Sequence, residues 1–574
     1  MSQGYIATTG VTPVDPNNPV TRQEIRTFAK DRELMELYLQ GLERFQAVDQ
    51  QERLSYFQIA GIHGRPYIPY DGAGQRSLNQ NFGGYCTHSS ILFPPWHRPY
   101  LALFEQALAT HVTAIANEYQ GDVKAKYVAA AAKFRLPYWD WAANRDLPDF
   151  ISIQKEVTVH SPTGLRTFPN PLYSYTFHPM YNNMDGLEEA TYWEKWPSTL
   201  RYPTSRGPSG RSNTSLLEGT LQNNGLTLRD RTYILLTQYD SYSVVSNDKW
   251  PVPRGRFDSI ESVHGSVHIF VGNDGHMGVA DYAAFDPVFW LHHCNVRMKS
   301  SDSSVEPLLT VPSKVDRIFA LWQALHPDSY VVKQVNGRGN FSTPAGTEEG
   351  SSPPNVSHMR RIDLMTDINT PLQPFRKPDG QFWTSAEVRD TRTFNYTYPE
   401  LERWSQLGRQ EKISRLATDI NGMYGRSAPI ASIIPELFEA ATAKASVPNI
   451  SRAKLAAEAA AQQPAPGQQV LKAPAAATST VQIAAKAVPT VVALPPEPPV
   501  KKTGDDIDFS AADDPVLQDG KHYIEWVANI TVEKYAAKTP LSVHIFLGNF
   551  SMYALQWSQD PNLVGTHVIF ANNL

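Results

Sequence analysis

Six histidines in two groups are the residues of this chain whose type and spacing could do chemistry. His63, His88 and His97 form one group, and His264, His268 and His293 the other. Neutral imidazoles bind borderline transition metals. Two trios of them, with no carboxylate or thiolate in the set, suit a pair of copper ions. The chain has 16 histidines, so spacing and context must single out these six.

The second group is the easier to read. In ESVHGSVH at 261–268, His264 and His268 stand four apart, which on a helix puts both rings on one face, one turn apart. An isolated pair of this kind also suits an ordinary helix surface. Gly265 occupies the place of the glutamate in HExxH, so this is not a zinc-protease motif. Then comes FDPVFWLHHCN at 285–295, an apolar segment in which Pro287 can open a helix. The first group is spread over FQIAGIHG at 57–64, YCTH at 85–88 and FPPWHR at 93–98. His63 closes one apolar periodic stretch, and His97 opens another that continues past Tyr100 and Glu105. Taken singly, each of these histidines also suits a structural role.

Together the segments resemble the fungal tyrosinases, a family of type 3 copper phenol oxidases. LPYWDW at 136–141 and YTYPE at 396–400 join the likeness, which runs over roughly 20–425. The resemblance implies copper A on His63, His88 and His97, and copper B on His264, His268 and His293. It makes His293 the ligand of the His292–His293 pair and leaves His292 a structural neighbour. It also implies a thioether between Cys86 and His88, restricting that ring on a loop. Cys294 is expected to be a small buried residue. Arg22, Tyr396 and Tyr398 look like family elements that tie the ends of the core together.

The elements that must position these residues are mainly helical. Apolar periodicity predicts helices over 22–42 and 100–119. A four-helix bundle presenting ligands inward is the natural frame for such a site. The resulting fold class is mainly α, with a four-helix-bundle di-copper core, long loops such as 145–215 shaping the entrance, and a small C-terminal β domain. Three parts are expected. Residues 1–426 form the catalytic domain. Residues 427–505, rich in Ala and Pro, form a flexible linker with a short helix near 452–462. In 506–574, the β-branched and aromatic runs at 523–532 and 541–547 predict strands. In the family such a domain covers the copper site until proteolysis, so the resemblance implies a latent proenzyme and an activating protease. Tyr424-Gly425 matches the pair near the end of the family's core. This C-terminal region lacks the CxxC of many fungal relatives, so a truncated cover is one expectation.

Composition agrees with a globular enzyme. With 41% hydrophobic and 19% charged residues and a net charge of −5, the chain has no basic field for nucleic acid. It has no apolar run long enough for a membrane span. Two cysteines in 574 residues exclude a disulfide framework, and with no secretory signal in the opening residues they point to the cytoplasm. Oligomeric state is not legible.

One segment departs from the family. Residues 296–314 are polar, serine-rich and carry two prolines, and removing them restores the family's run from His293, Cys294 and Asn295 into Val315, Asp316 and Arg317, ahead of an apolar helix. The insert would interrupt the helix that carries His293. A retained intron giving an inactive splice product is one account, a genuine loop insertion the other.

The resemblance implies O2-dependent oxidation of monophenols and o-diphenols (tyrosine, dopa, catechols) to o-quinones, feeding melanin formation. Glu261 matches an acid that orders a water near the site. Gly265 stands where an asparagine often assists that water, and Ala280 falls at a gate position where a small side chain leaves the entrance open. Diphenol oxidation is therefore expected to be robust, and monophenol oxidation slower and lagging. A catechol oxidase lacking monophenolase activity is the alternative. Reversible O2 carriage, as in haemocyanins, fits less well a chain with one copper unit and a detachable cover.

Overall fold

The protein is described here from a computed structural model. It covers residues 4–425 apart from 14, 16–17, 75–83, 182–183, 185–191, 249–257, 295–315, 336–364 and 403–406, and beyond these 517–518, 522–523, 541–546 and 563–569.

Local capping sets the helix boundaries near the site. Helix α1 (Ile25–Phe28) stops short because Asp31 starts a new one, α2 (Arg32–Gln46), by accepting the Leu34 N–H at 3.1 Å. An aspartate in this place satisfies an otherwise orphaned donor of the first turn. The single helix expected over 22–42 is therefore two, and Arg22 lies ahead of both. Ser55 caps α3 (Tyr56–Gly61) in the same way, through the Gln58 N–H at 3.1 Å, and His63 follows two residues after its end. Helix α4 (Phe93–Glu118) begins well before Tyr100, so His97 lies inside it. Pro94 and Pro95 fall in its first turn, where a missing N–H has no helical partner to lose.

Helices α5 (Gly121–Ala132), α6 (Asp149–Ser152), α7 (Thr214–Gln238) and α8 (Tyr242–Ser246) follow. Then come α9 (Ile260–Gly272), α10 (Pro287–Cys294), α11 (Asp316–Leu325) and α12 (Arg409–Tyr424). The segment expected to be a long loop over 145–215 instead contains α6 and an antiparallel hairpin, β2 (Glu156–Ser161) and β3 (Gly164–Pro169), against α2. The alternation of valine with polar residues over 156–160 was the available signal for it.

The other described strands are short. β1 (Val20–Thr21) pairs in parallel with β8 (Tyr396–Thr397), joining the two ends of the core. β4 (Gln334–Val335) pairs with β5 (Met365–Thr366), and β6 (Pro371–Arg376) with β7 (Phe382–Thr384). Beyond 425, β9 (Leu517–Gln518) pairs with β10 (His522–Tyr523), and β11 (Leu541–Phe546) with β12 (Leu563–Ile569), all antiparallel. Two compact units result: Met1–Glu436 with Thr531–Leu574, and Leu437–Ile530. The helix expected near 452–462 lies outside the described residues.

The core of the first unit is helical and aromatic. Trp96, Trp139, Trp141, Trp290 and Trp322 are fully buried. Phe104 of α4 stacks on Trp290 of α10, with ring centroids 3.6 Å apart. Apolar packing of this density fixes α10 against α4 before any polar contact is counted.

A buried ionic cluster then ties α4, α11 and both chain ends of the core together. Asp316, at the start of α11, accepts from Arg98 Nε at 2.6 Å and from Arg22 Nη1 at 3.4 Å. It also accepts from the hydroxyls of Tyr396 and Tyr398. Arg22 bonds Glu105 of α4 at 3.0 Å, and its guanidinium lies 3.6 Å from the centre of the Tyr396 ring. Burial pushes the Asp316 carboxyl up, but Arg98 and Arg22 outweigh it and hold it below its ordinary range. Removing one partner of such a cluster leaves uncompensated buried charge. Asp316→Asn is therefore expected to destabilise the fold by about 3–5 kcal/mol, read as a lower denaturation midpoint in urea. A midpoint equal to wild type would contradict it.

Residues 296–314 lie outside the described residues, but their flanks are informative. Cys294 ends α10 and Asp316 opens α11. Both lie near Arg22, which pulls on the Cys294 thiol and bonds Asp316. A chain with 296–314 deleted is expected to fold with a thermal midpoint at or above that of the full chain. A lower midpoint would mean the segment contributes to the fold.

Candidate metal centre

Five stretches of chain deliver the six histidines to one buried place. His63 follows α3, His88 lies on the loop before α4, His97 is in the second turn of α4, His264 and His268 are on α9, and His293 is near the end of α10. All six are buried. Two glycines let the backbones close in. A Cβ on Gly84, at φ +58°, would lie 2.2 Å from the His63 carbonyl oxygen, and one on Gly64 would lie 2.4 Å from that of Asp281. Any side chain at either position would push the 84–89 loop or the 281 segment away from His63.

Backbone carbonyls orient three of the rings. His63 Nδ1 donates to Ala280 O at 2.8 Å, His97 Nδ1 to Phe93 O at 2.7 Å, and His268 Nδ1 to Met277 O at 2.8 Å. A ring that donates from Nδ1 keeps its Nε2 lone pair free for a metal. His63 Nε2 is buried with no hydrogen-bond partner among the described residues. In the second group, Nε2 of His264, His268 and His293 converge at 2.8, 3.1 and 3.2 Å from one another. His268 turns an Nε2 lone pair on the other two rings, and no placement of one proton on each of three neutral rings satisfies all three contacts unless a cation sits among them. A metal bonded at about 2.0–2.1 Å to tetrahedral ligands spaces its nitrogens about 3.3 Å apart, close to what is seen. The donor set therefore fits a metal.

Aromatic contacts join the two groups. The His97 and His293 rings lie 4.8 Å apart between centroids, and His88 and His264 lie 6.3 Å apart. Phe289 stacks on His293 at 3.9 Å and meets His63 edge-on at 5.0 Å. Phe93 meets His97 at 4.7 Å and His264 at 5.0 Å. These two phenylalanines belong to the FPPWHR and FDPVFWLHHCN motifs, where nothing in the sequence distinguishes them from other apolar residues. The carbonyls of Ala280, Phe93 and Met277 carry no side-chain signal at all.

Other expected residues fall as follows. His292 accepts the Trp141 indole N–H on Nδ1 at 3.0 Å and lies flat against His264, 5.1 Å between centroids. One of its nitrogens falls within the same cluster as the three converging rings. Cys86 Sγ stands 3.8 Å from His88 Nε2 and 3.5 Å from His97 Nε2. Cys294 is buried, which pushes its thiol far up. Gly265 is buried within α9, and Ala280 is fully buried beside His63. Glu261, in the first turn of α9, accepts the backbone N–H of Ser89 on both oxygens. His276 is a histidine of another kind: its Nδ1 accepts the Leu200 N–H at 3.0 Å, away from both groups.

Sequence and structure comparisons converge on the same family. The common central domain of tyrosinase matches residues 53–298, and the tyrosinase C-terminal domain matches 525–574. The tyrosinase of Neurospora crassa is 32% identical over 97% of this chain and 81% of its own length. The chain belongs to the tyrosinase family. The tyrosinase of Podospora anserina is 35% identical over 74% of this chain and 69% of its own. Among solved structures, mushroom tyrosinase in coexisting latent and active forms is 30% identical with a TM-score of 0.60, covering 74% of this chain and 99% of that one. An Aspergillus oryzae pro-tyrosinase shares the fold over 99% of this chain with a TM-score of 0.61.

The rings are held in the form a metal needs. Burial lowers His63 to about 4, and burial reinforced by His63 lowers His97 to about 3. Burial, followed by neighbouring imidazoles, holds His264, His268 and His293 well below the ordinary value. Folded pKa values below the unfolded 6.5 mean that acid protonates the unfolded chain first. This contribution to stability is complete above that pH and is lost as the pH falls toward 4 and then 3. The thermal midpoint of metal-free protein is thus expected to fall steadily from about pH 7 to about pH 4.5. A flat profile over that range would overturn the assignment of neutral buried rings.

Proposed function

We propose that the protein oxidises monophenols and o-diphenols to o-quinones with O2 at a pair of copper ions. His63, His88 and His97 hold one ion, and His264, His268 and His293 the other. The observation that carries this reading is the meeting of two sets of buried imidazoles, with His97 and His293 rings 4.8 Å apart. Copper, when bound, supplies O2 binding and accepts the electrons of the catechol. The chain supplies the rest. Carbonyls of Ala280, Phe93 and Met277 keep ring protons on Nδ1. Phe289 and Phe93 wedge the rings and keep water from their faces. Desolvation keeps His63, His97, His264, His268 and His293 neutral over the working range of pH.

Finer features belong to the same reading. The helices around the site form a four-helix bundle, and His292 serves as a structural neighbour held by Trp141. Cys86 and His88 lose two hydrogens to O2 and join as a thioether. Monophenols such as tyrosine react more slowly than dopa and other catechols, because Gly265 brings no side chain to assist a base. Residues 506–574 form the cover domain and 427–505 the linker that a protease cuts. The β11–β12 hairpin supports this, since β12 lies beside α9, the helix of His264 and His268. The quinones would feed melanin formation.

The test is copper content with O2 uptake. Purified protein is expected to hold both ions and to consume O2 with catechol after limited proteolysis between 427 and 505. His97→Ala should lose one ion and lower the rate by more than about 100-fold. Full activity in that variant, or none in wild type that carries both ions, would sink the reading.

A further inference from the structure

Glu261 sits in the first turn of α9, three residues before His264. Its side chain crosses to the other half of the site. Oε1 and Oε2 stand 2.8 and 2.9 Å from the backbone nitrogen of Ser89, the residue after His88. Oε2 also accepts the Asp248 N–H at 3.2 Å. Glu261 and Ser89 are both buried. Ser89 has φ +54°, a region that residues with a side chain enter only when their surroundings hold them there. A charge-assisted bond to a carboxylate is about twice as strong as one between neutral groups, and here it falls on the residue in the unfavourable conformation.

We propose that Glu261 is a positioning residue, a strut from the helix of His264 and His268 to the loop of His88 that sets where the His88 ring stands relative to the other group. The carboxylate acts through Ser89, and both of its oxygens are turned to backbone donors. Glu261 therefore holds the loop that carries His88. The strut rests on the copper reading for its consequence, but its existence can be tested without metal.

The substitution series is Glu261→Gln and Glu261→Ala, with Ser259→Ala as a control. Ser259 caps α9 through the Ser262 N–H at 3.0 Å and its hydroxyl bonds Asp248, so its loss weakens the helix start and the Asp248 end of the network without touching Ser89. Glutamine keeps an oxygen for Ser89 while its amide nitrogen loses the bond from the Asp248 N–H, and alanine removes both acceptors. In metal-free full-length chain, amide hydrogen exchange across 87–91 is expected to stay slow in wild type, Glu261→Gln and Ser259→Ala, and to rise roughly tenfold or more in Glu261→Ala. In copper-loaded chain, release of copper to a chelator is expected to follow the same order, with Glu261→Ala roughly tenfold or more faster than wild type.

Unchanged exchange in Glu261→Ala would overturn the strut. So would Glu261→Gln and Glu261→Ala both leaving copper release unchanged while monophenol oxidation alone falls, the pattern of a water-ordering acid. Equal disturbance by Ser259→Ala would reduce the effect to helix fraying and overturn it as well. A wild-type chain that binds no copper would count against the proposed function, and the exchange experiment would still decide on the strut.

Discussion

Buried imidazole nitrogens crowded against one another are the constraint on which this structure turns. Nε2 of His264, His268 and His293 approach to 2.8–3.2 Å. No arrangement of protons on three neutral rings makes that contact favourable throughout, so the fold must hold it against its own preference until a cation arrives. Most of what surrounds the site serves to hold it. Carbonyl acceptors fix ring orientation, Phe289 and Phe93 fill the gaps between rings, and the apolar surroundings keep the rings uncharged.

The holding force is distributed. Close aromatic packing between α4 and α10 sets the distance between His97 and His293. The Asp316 cluster sits behind it and binds α4, α11 and the β1–β8 pair into one frame. Arg98 follows His97 directly, so an ion pair buried on one side of α4 helps orient a ligand on the other. Two charges are neutralised there by one carboxylate and Glu105, with two phenols completing its hydrogen bonds. Such a cluster adds little net stability over apolar packing but defines a single arrangement of the elements it joins.

Much of the site was legible in the sequence. The spacing of His264 and His268 gave a helix, and Pro287 opened the next one, because both are local properties of three to four residues. Helix ends were less legible. The helix expected over 22–42 divides at Asp31, and the one expected from Tyr100 begins at Phe93, since capping is decided by which backbone donors lack partners. The hairpin at 156–169 was hidden in a stretch whose polar surface resembled a loop.

The sequence alone determined the family, the metal-binding chemistry of the six histidines and their division into two groups, because those rest on residue type and spacing. Tertiary structure decided which carbonyl holds Nδ1 of His63, His97 and His268 and so leaves Nε2 of those rings for a metal. It also decided that Glu261 reaches Ser89, 172 positions away in the chain. Such contacts join backbone atoms that every residue carries alike. No residue type marks them, and only the path of the folded chain brings them together.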